Sequence, residues 1–263
     1  MADRYGEWLV KNTGSQKGRH SYVNPANSEL KLLSYGRVVL EESSQEIQVN
    51  SGEDEIAFIC LKGNAHFRAN QRKYMVGKHD AIYIPRNTSC LIGAENKADL
   101  VECSAPSGKE SRVTLVNYEK IKDDSELHMS AGEVPYSREI YTLIGPQVQA
   151  SRLLIGFTRG KMGNWTSWPP HEHASSREEI YLFYDMPEPA FGVQFVYTNP
   201  RKMEFVEVVR ENDAVIIPKG YHPNVAAPGR GVNFVWMMAG IRPEVDRKWA
   251  AVNVQPEFKH ISF

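Results

Sequence analysis

Short apolar runs, rich in β-branched and aromatic residues and often alternating with polar ones, recur along the whole chain. They are residues 55–63 (EIAFICLKG), 65–69 (AHFRA), 80–85 (DAIYIP), 98–105 (ADLVECSA), 151–160 (SRLLIGFTRG), 179–184 (EIYLFY), 191–198 (FGVQFVYT), 213–218 (DAVIIP) and 231–240 (GVNFVWMMAG). Gly, Asn and Pro punctuate the intervals, as they do at turns. Short strands at this spacing predict an all-β barrel or sandwich. Long amphipathic helical periodicity is absent, and short helical pieces are expected only near the ends, for instance around Pro243 to Val252.

Two of the runs repeat. DAIYIP from Asp80 and DAVIIP from Asp213 agree at Asp, Ala, Ile and Pro, and EIAFIC from Glu55 parallels EIYLFY from Glu179. The paired starts are 25 residues apart in the first half (80 minus 55) and 34 in the second (213 minus 179), so the second half carries a longer hairpin. The pattern predicts two similarly built β domains in tandem, residues 1–125 and 126–263. The join falls in the polar, strand-poor stretch at 120–135.

Composition narrows the function. A chain of 263 residues with 41% hydrophobic side chains can bury a substantial core in one large or two ordinary domains. A net charge of −1 and no block of Lys and Arg argue against a nucleic-acid partner. The start, MADRYGEWLVKNTGS, carries charges where a signal peptide needs an apolar core, and no apolar run is long enough to span a membrane. A cytoplasmic protein is expected. Cys60, Cys90 and Cys103 are widely spaced, with no CxxC pair, and read as small buried hydrophobes.

The candidate chemistry sits in SWPPHEHASSREEIYLF, residues 167–183. His171 and His173 are two apart, so on a strand both imidazoles face the same side. Glu179 opens the next strand run, and His222 follows DAVIIP at the next turn. Three imidazoles and one carboxylate are a ligand set for a divalent transition metal with positions left for water or substrate. The repeat supplies an internal control. Moving His171 and His173 back by 124 residues (179 minus 55) reaches Ile47 and Val49, and moving His222 back by 133 (213 minus 80) reaches Ser89. One half looks built for a metal and the other for packing. Strand alternation places Glu179, Tyr181 and Phe183 on one face and Glu178, Ile180 and Leu182 on the other. Glu179 is favoured as ligand because it aligns with Glu55, and Glu178 stays open. His20, His66, His79, His128 and His260 lack ligand-like spacing and read as structural or surface residues.

The His-x-His, carboxylate, distant His order resembles the cupin superfamily. More narrowly, GNWTSWPPHEH, EEIYLFYDM, VQFVYTNPR, DAVIIPKGYHP and VWMMAG resemble the 5-deoxy-glucuronate isomerase and 4-deoxy-5-hexosulose-uronate isomerase family, closest to the former. The short loop HEHASSREE leans towards the latter. The likeness covers the second half and extends weakly over the first. It implies a bicupin, two tandem jelly-roll barrels with few short helices, and one metal site in the C-terminal barrel at His171, His173, Glu179 and His222. It implies a metal-dependent aldose–ketose isomerase acting on a small acidic sugar, with Zn2+ or Mn2+ bound, or Fe2+. A dioxygenase on the same ligands and a non-catalytic sugar-binding cupin are the rivals. Proton-shuttle candidates are Glu178, Tyr181 and Tyr221, and Lys219 and Arg177 are candidates for the cation that meets the substrate carboxylate. Trp165 and Trp168 are expected to pack the barrel wall. Strand edges and the tail VNVQPEFKHISF predict a homo-oligomer.

Overall fold

The computed structural model describes residues 8–41, 46–173, 175–249 and 251–261, and places every apolar run named above in a β-strand. The N-terminal half supplies β1 (Leu9–Val10), β2 (Gly18–Val23), β3 (Ser34–Glu41), β4 (Ile47–Asn50), β5 (Asp54–Ala69), β6 (Arg72–Val76), β7 (Ala81–Ile84), β8 (Ser89–Pro106) and β9 (Thr114–Val116). One helical turn, α1 (Tyr118–Ile121), follows. The C-terminal half supplies β10 (His128–Ala131), β11 (Arg138–Ile144), β12 (Leu153–Gly160), β13 (Trp165–Thr166), β14 (His171–Glu172), β15 (Arg177–Phe183) and β16 (Gly192–Val196). It ends with β17 (Phe205–Val209), β18 (Ala214–Ile217), β19 (Asn224–Ala226), β20 (Asn233–Gly240) and β21 (Asn253–Val254).

In the N-terminal half the strands run in the order β2-β3-β8-β5-β7-β9, with β4 on β8 and β6 on β5. β5 and β8 are long enough to turn a corner and pair on both sides of it, with register shifts between Cys60 and Lys62 and between Gly63 and Ala65. Gly63 makes the corner possible. Its φ is +73°, and a Cβ there would lie 1.8 Å from the Lys97 carbonyl oxygen. The C-terminal half stacks the sheet β1-β18-β15-β20-β12-β11-β10 against β13-β19-β16-β17. The hairpin β16–β17 matches the pairing of the second part of β5 with β6, and the longer connections at 184–191 and 197–204 account for the longer second half. β1 crosses between halves, with Leu9 opposite Val215 and Val10 opposite Ala214.

Two expectations change. Residues 243–246 form a turn, not a helix: Glu244 has φ +61°, and the Asp246 carboxylate accepts the Arg242 backbone N–H at 2.8 Å. The strand-poor connector contains β10, paired residue for residue with β11.

Strand alternation divides the side chains between two cores. Ile56, Phe58 and Cys60 of β5 fill the N-terminal core, while Ala57, Ile59 and Leu61 join a second core shared with β12, β15 and β20. The register corrects the repeat alignment. Ile56 lies opposite Ile84 on β7, and Glu179 lies opposite Ile217 on β18, and Ile84 and Ile217 are the residues that the aspartate repeat relates (217 minus 84 is 133). Glu179 therefore corresponds to Ile56, and Glu55 corresponds to Glu178. A slip of one residue exchanges the faces of a strand.

The corrected pairing reveals a reciprocal clasp. The Glu55 carboxylate accepts backbone N–H groups from Ser151 and Arg152 at 2.6 Å each and from Leu153 at 2.8 Å, and Tyr83 Oη donates to it at 2.8 Å. The Glu178 carboxylate accepts backbone N–H groups from Lys31 at 2.7 Å, Leu32 at 2.9 Å and Leu33 at 3.0 Å. Each half thus inserts a buried carboxylate into the loop before the equivalent strand of the other, β12 and β3. A buried amide left without an acceptor costs about 1–3 kcal/mol.

His79 packs between the halves. Its ring lies 5.2 Å from that of Phe157 and 5.1 Å from that of Tyr118, and Arg159 Nη2 is 3.3 Å from both ring nitrogens. Burial, reinforced by the Arg159 and Lys78 charges, lowers its pKa to about 4.

Glu55→Ala and Glu178→Ala are each expected to cost about 3 kcal/mol or more in urea unfolding, and the matching Gln variants less. A loss under about 1 kcal/mol would show that the clasp does not hold the halves. Between pH 6.5 and about 4 the unfolded chain takes up a proton at His79 that the folded chain refuses, so stability falls as pH falls across that window. His79→Gln should flatten that slope by on the order of 2–3 kcal/mol, read from urea midpoints at pH 7 and pH 4.5.

Candidate metal centre

Two strands and two turns bring the ligand candidates together. β14 carries His171, the turn after it carries His173, β15 carries Glu179, and the turn after β18 carries His222. Gly220, at φ +92°, lets that last turn close, since a Cβ there would meet the Tyr197 carbonyl oxygen at 2.6 Å. The ligating nitrogens of His171, His173 and His222 all lie within 4.8 Å of one another. Glu179 Oε2 is 3.0 Å from His173 Nε2 and 3.1 Å from His222 Nε2. Two ligands held ~2.1 Å from one ion at right angles lie ~3.0 Å apart, so these separations suit a shared cation.

Hydrogen bonds orient the rings. His171 Nδ1 donates to the Pro169 carbonyl at 3.0 Å and His222 Nδ1 to the Gly220 carbonyl at 2.9 Å, which leaves each Nε2 lone pair for a metal. His173 Nδ1 faces Arg177 Nη2 at 3.0 Å. Among the described residues, His222 Nε2 and Glu179 Oε1 are buried without a hydrogen-bond partner. Buried polar atoms without partners are rare in folded proteins, and a cation would satisfy both. Burial, then the neighbouring imidazoles, holds the His171 pKa well below its ordinary value. Burial likewise lowers that of His173. Burial pushes the Glu179 carboxyl upwards, but His173 and His222 outweigh it and hold the group below the usual carboxylate range. Neutral imidazoles beside an ionised carboxylate are the protonation states that ligation requires.

The centre opens on a cavity of about 200 Å³ whose walls are largely apolar, including Ile140, Phe234, Trp236 and Met238. Tyr181 and Ser167 also line it, their hydroxyls 2.8 Å apart. Ser167 has φ +49°, an uncommon conformation for a residue with a side chain and one that gathers at functional sites. Burial, then the Glu179 charge, raises the Tyr181 pKa well above its ordinary value. Trp249 and Val252, from a strap near the C-terminus, complete the cavity wall. In that strap β21 pairs with β14, Gln255 donates its backbone N–H to the Pro170 carbonyl at 2.9 Å, and Tyr197 Oη donates to Gln255 Oε1 at 2.7 Å.

Not every predicted residue reaches the cavity. Tyr181 does. Glu178 lies on the opposite face of β15, held by the clasp. Arg177 is buried and tied to His173 and to the carbonyls of Lys248 and Ala251, so it braces His173 and the strap and does not line the cavity. Lys219 is exposed, and the Tyr221 ring packs 5.6 Å from that of Tyr197. Trp165 and Trp168 pack against each other at 5.0 Å and against Phe195 and Phe258. The cavity residues that sequence reasoning missed are Arg138, Thr158, Ser167 and the strap. Arg138, Thr158 and Ser167 carry no motif spacing, and the strap lies in the stretch read as a short helical piece and an oligomerising tail.

The KduI/IolB family model matches residues 8–261. The chain belongs to the KduI/IolB family. It is 26% identical over 264 residues to the 5-deoxy-glucuronate isomerase of Geobacillus thermodenitrificans (strain NG80-2), covering 92% of this chain and 94% of that protein. Among solved structures, an IolB-like protein from Salmonella typhimurium LT2 superposes with a TM-score of 0.85 at 23% identity, over 96% of this chain and 98% of that one. A cupin 2 conserved barrel domain protein from Leptotrichia buccalis aligns with a TM-score of 0.52 at 13% identity, over 88% of this chain and 92% of that one. The KduI/IolB chain is thus built on a cupin-like all-β fold.

Purified protein stripped by chelator is expected to bind about one equivalent of Zn2+ or Mn2+ per chain in calorimetry. Glu179→Ala and His222→Ala should each weaken that binding by at least ~100-fold, because even residues behind the ligands cost 10–100-fold. Unchanged affinity in both variants would remove the metal centre.

Proposed function

We propose that this protein interconverts the aldose and ketose forms of a deoxy uronic acid, 5-deoxy-glucuronate in the first place. The observation that carries the reading is the joining, in a member of this family, of a three-imidazole, one-carboxylate donor set to a mostly apolar cavity holding one hydroxyl pair. His171, His173, Glu179 and His222 would hold a divalent ion, Zn2+ or Mn2+ by donor type, with Fe2+ also compatible. When bound, the ion supplies positive charge beside the carbonyl and the oxygens of the enediolate.

The chain's own groups supply a proton donor and a dry cavity. Isomerisation moves a proton from C2 to C1 and a hydroxyl proton from the C2 oxygen to the C1 oxygen, with no net oxidation. Of the three shuttle candidates only Tyr181 lines the cavity, and its raised pKa keeps the hydroxyl protonated near neutrality, as a donor to a developing oxyanion. Ser167 holds that hydroxyl in place. Phe234, Trp236 and Met238 exclude water, which strengthens every polar contact inside. Residues 126–263 would carry the chemistry and residues 1–125 would brace it. A cytoplasmic homo-oligomer completes the reading. The cysteines are free, as in a reducing compartment, and edge strand β17 exposes Val206 and Val208.

Proton NMR of 5-deoxy-glucuronate in D2O with metal-loaded protein should show ketose forming with deuterium at the new C1 position, and no reaction after chelation. Tyr181→Phe should lower kcat by about 10²–10⁴-fold while metal content stays unchanged. Turnover of the 4-deoxy-5-hexosulose-uronate instead would reassign the substrate, and oxygen consumption with iron bound would overturn the isomerase.

A further inference from the structure

We infer that Arg138 is the residue that takes the substrate carboxylate, an assignment that rests on the acidic-sugar reading for the identity of its ligand. Arg138 opens β11, is 2% exposed and lines the same cavity as His171, His173 and Glu179. Its side chain has one acceptor among the described residues, the Tyr136 carbonyl, 3.0 Å from Nη1. A guanidinium carries five N–H donors.

The other buried arginines are provided for. Arg37 donates twice to Asp99 at 2.6 Å, and the half-buried Arg247 donates to the carbonyls of Leu153 and Gly145 at 2.8 Å. Arg177 has two carbonyls and His173. Arg138 alone in this set has neither a carboxylate nor a second carbonyl. Glu179 shares the cavity, but it is hydrogen-bonded to His173 Nε2 at 3.0 Å and lies 3.1 Å from His222 Nε2. Burying a charge without a counter-ion is costly, so a fold that does so at the wall of a binding cavity leaves the place of the anion to a ligand. Burial pulls the Arg138 pKa down to about 10, which still leaves it charged at neutrality.

The surroundings are shaped to the guanidinium. Gly132, at φ +71°, approaches so closely that a Cβ there would lie 2.8 Å from Nη1. The planar fork suits a carboxylate bidentately, which an exposed Lys219 cannot reproduce. With the metal ligands and Arg138 on one cavity, a sugar acid can present its carbonyl to one and its carboxylate to the other.

The test compares zinc-loaded wild type, Arg138→Gln and Arg138→Lys. Calorimetry measures D-gluconate, a carboxylate, against D-glucitol, its neutral counterpart. Wild type is expected to prefer gluconate. Arg138→Gln should keep its zinc, lose about 10–150-fold in gluconate affinity and leave glucitol within about 3-fold, with Arg138→Lys in between. Its Tm without ligand should be unchanged or higher, because an unpaired buried charge is gone; a structural arginine would lower it. Absence of a gluconate preference in wild type, or an equal loss for both ligands with a fallen Tm, overturns the assignment. Kinetics separate the two readings. Turnover of 5-deoxy-glucuronate with an unchanged KM in Arg138→Gln sinks the Arg138 assignment alone. Arg138-dependent gluconate binding with no turnover by wild type sinks the isomerase alone.

Discussion

The molecule depends on the pleat of one strand. On β15, Glu178 and Glu179 are neighbours in sequence and point to opposite faces, so one carboxylate is spent on the contact between halves and the next on the cavity. The three amides of residues 31–33 fix Glu178, and with it the rotation of the strand about its axis. Glu179 is aimed as a result. The N-terminal half, which lacks the imidazoles, performs the same act with Glu55 and residues 151–153, and carries Ile56 where the other half carries Glu179.

Around that strand the polar groups of the centre are kept dry and separately oriented. His171 and His222 are each fixed by a carbonyl two residues earlier in the chain, a local device that needs no distant partner. His173 is fixed by Arg177, which lies two residues before Glu179 on the same face of β15. The strap and the ligands therefore share a brace, since the same guanidinium reaches the carbonyls of Lys248 and Ala251. Closure of the cavity and the hold on His173 are one mechanical system.

Much of this was legible in the sequence, for identifiable reasons. Period-2 runs gave the strands, because alternation follows directly from half-buried sheets. His-x-His with a later Glu and His marked four side chains that the fold brings together, because metal-ligand chemistry draws on few residue types. The face of Glu179 relative to Glu178 was read correctly, but by an alignment one residue out: six matching letters do not set register when both a Glu and an Ile are acceptable at each end. Arg138 was invisible since nothing in REIYTLI distinguishes a cavity arginine from a solvated one. Lys219 and Arg177 looked suitable by proximity in sequence, yet the turn at Gly220 directs Lys219 to solvent and the strap claims Arg177.

The crossing of β1 has a consequence for biosynthesis. Leu9 and Val215 are 206 positions apart (215 minus 9), so the first strand has no sheet to join until most of the polypeptide has left the ribosome. At about 5–20 residues per second, that leaves an apolar segment unpaired for roughly 10–40 seconds. Completion of the sheet that carries Glu179 is therefore among the last events in the making of the protein, and the nascent chain is most exposed to faulty association during that interval.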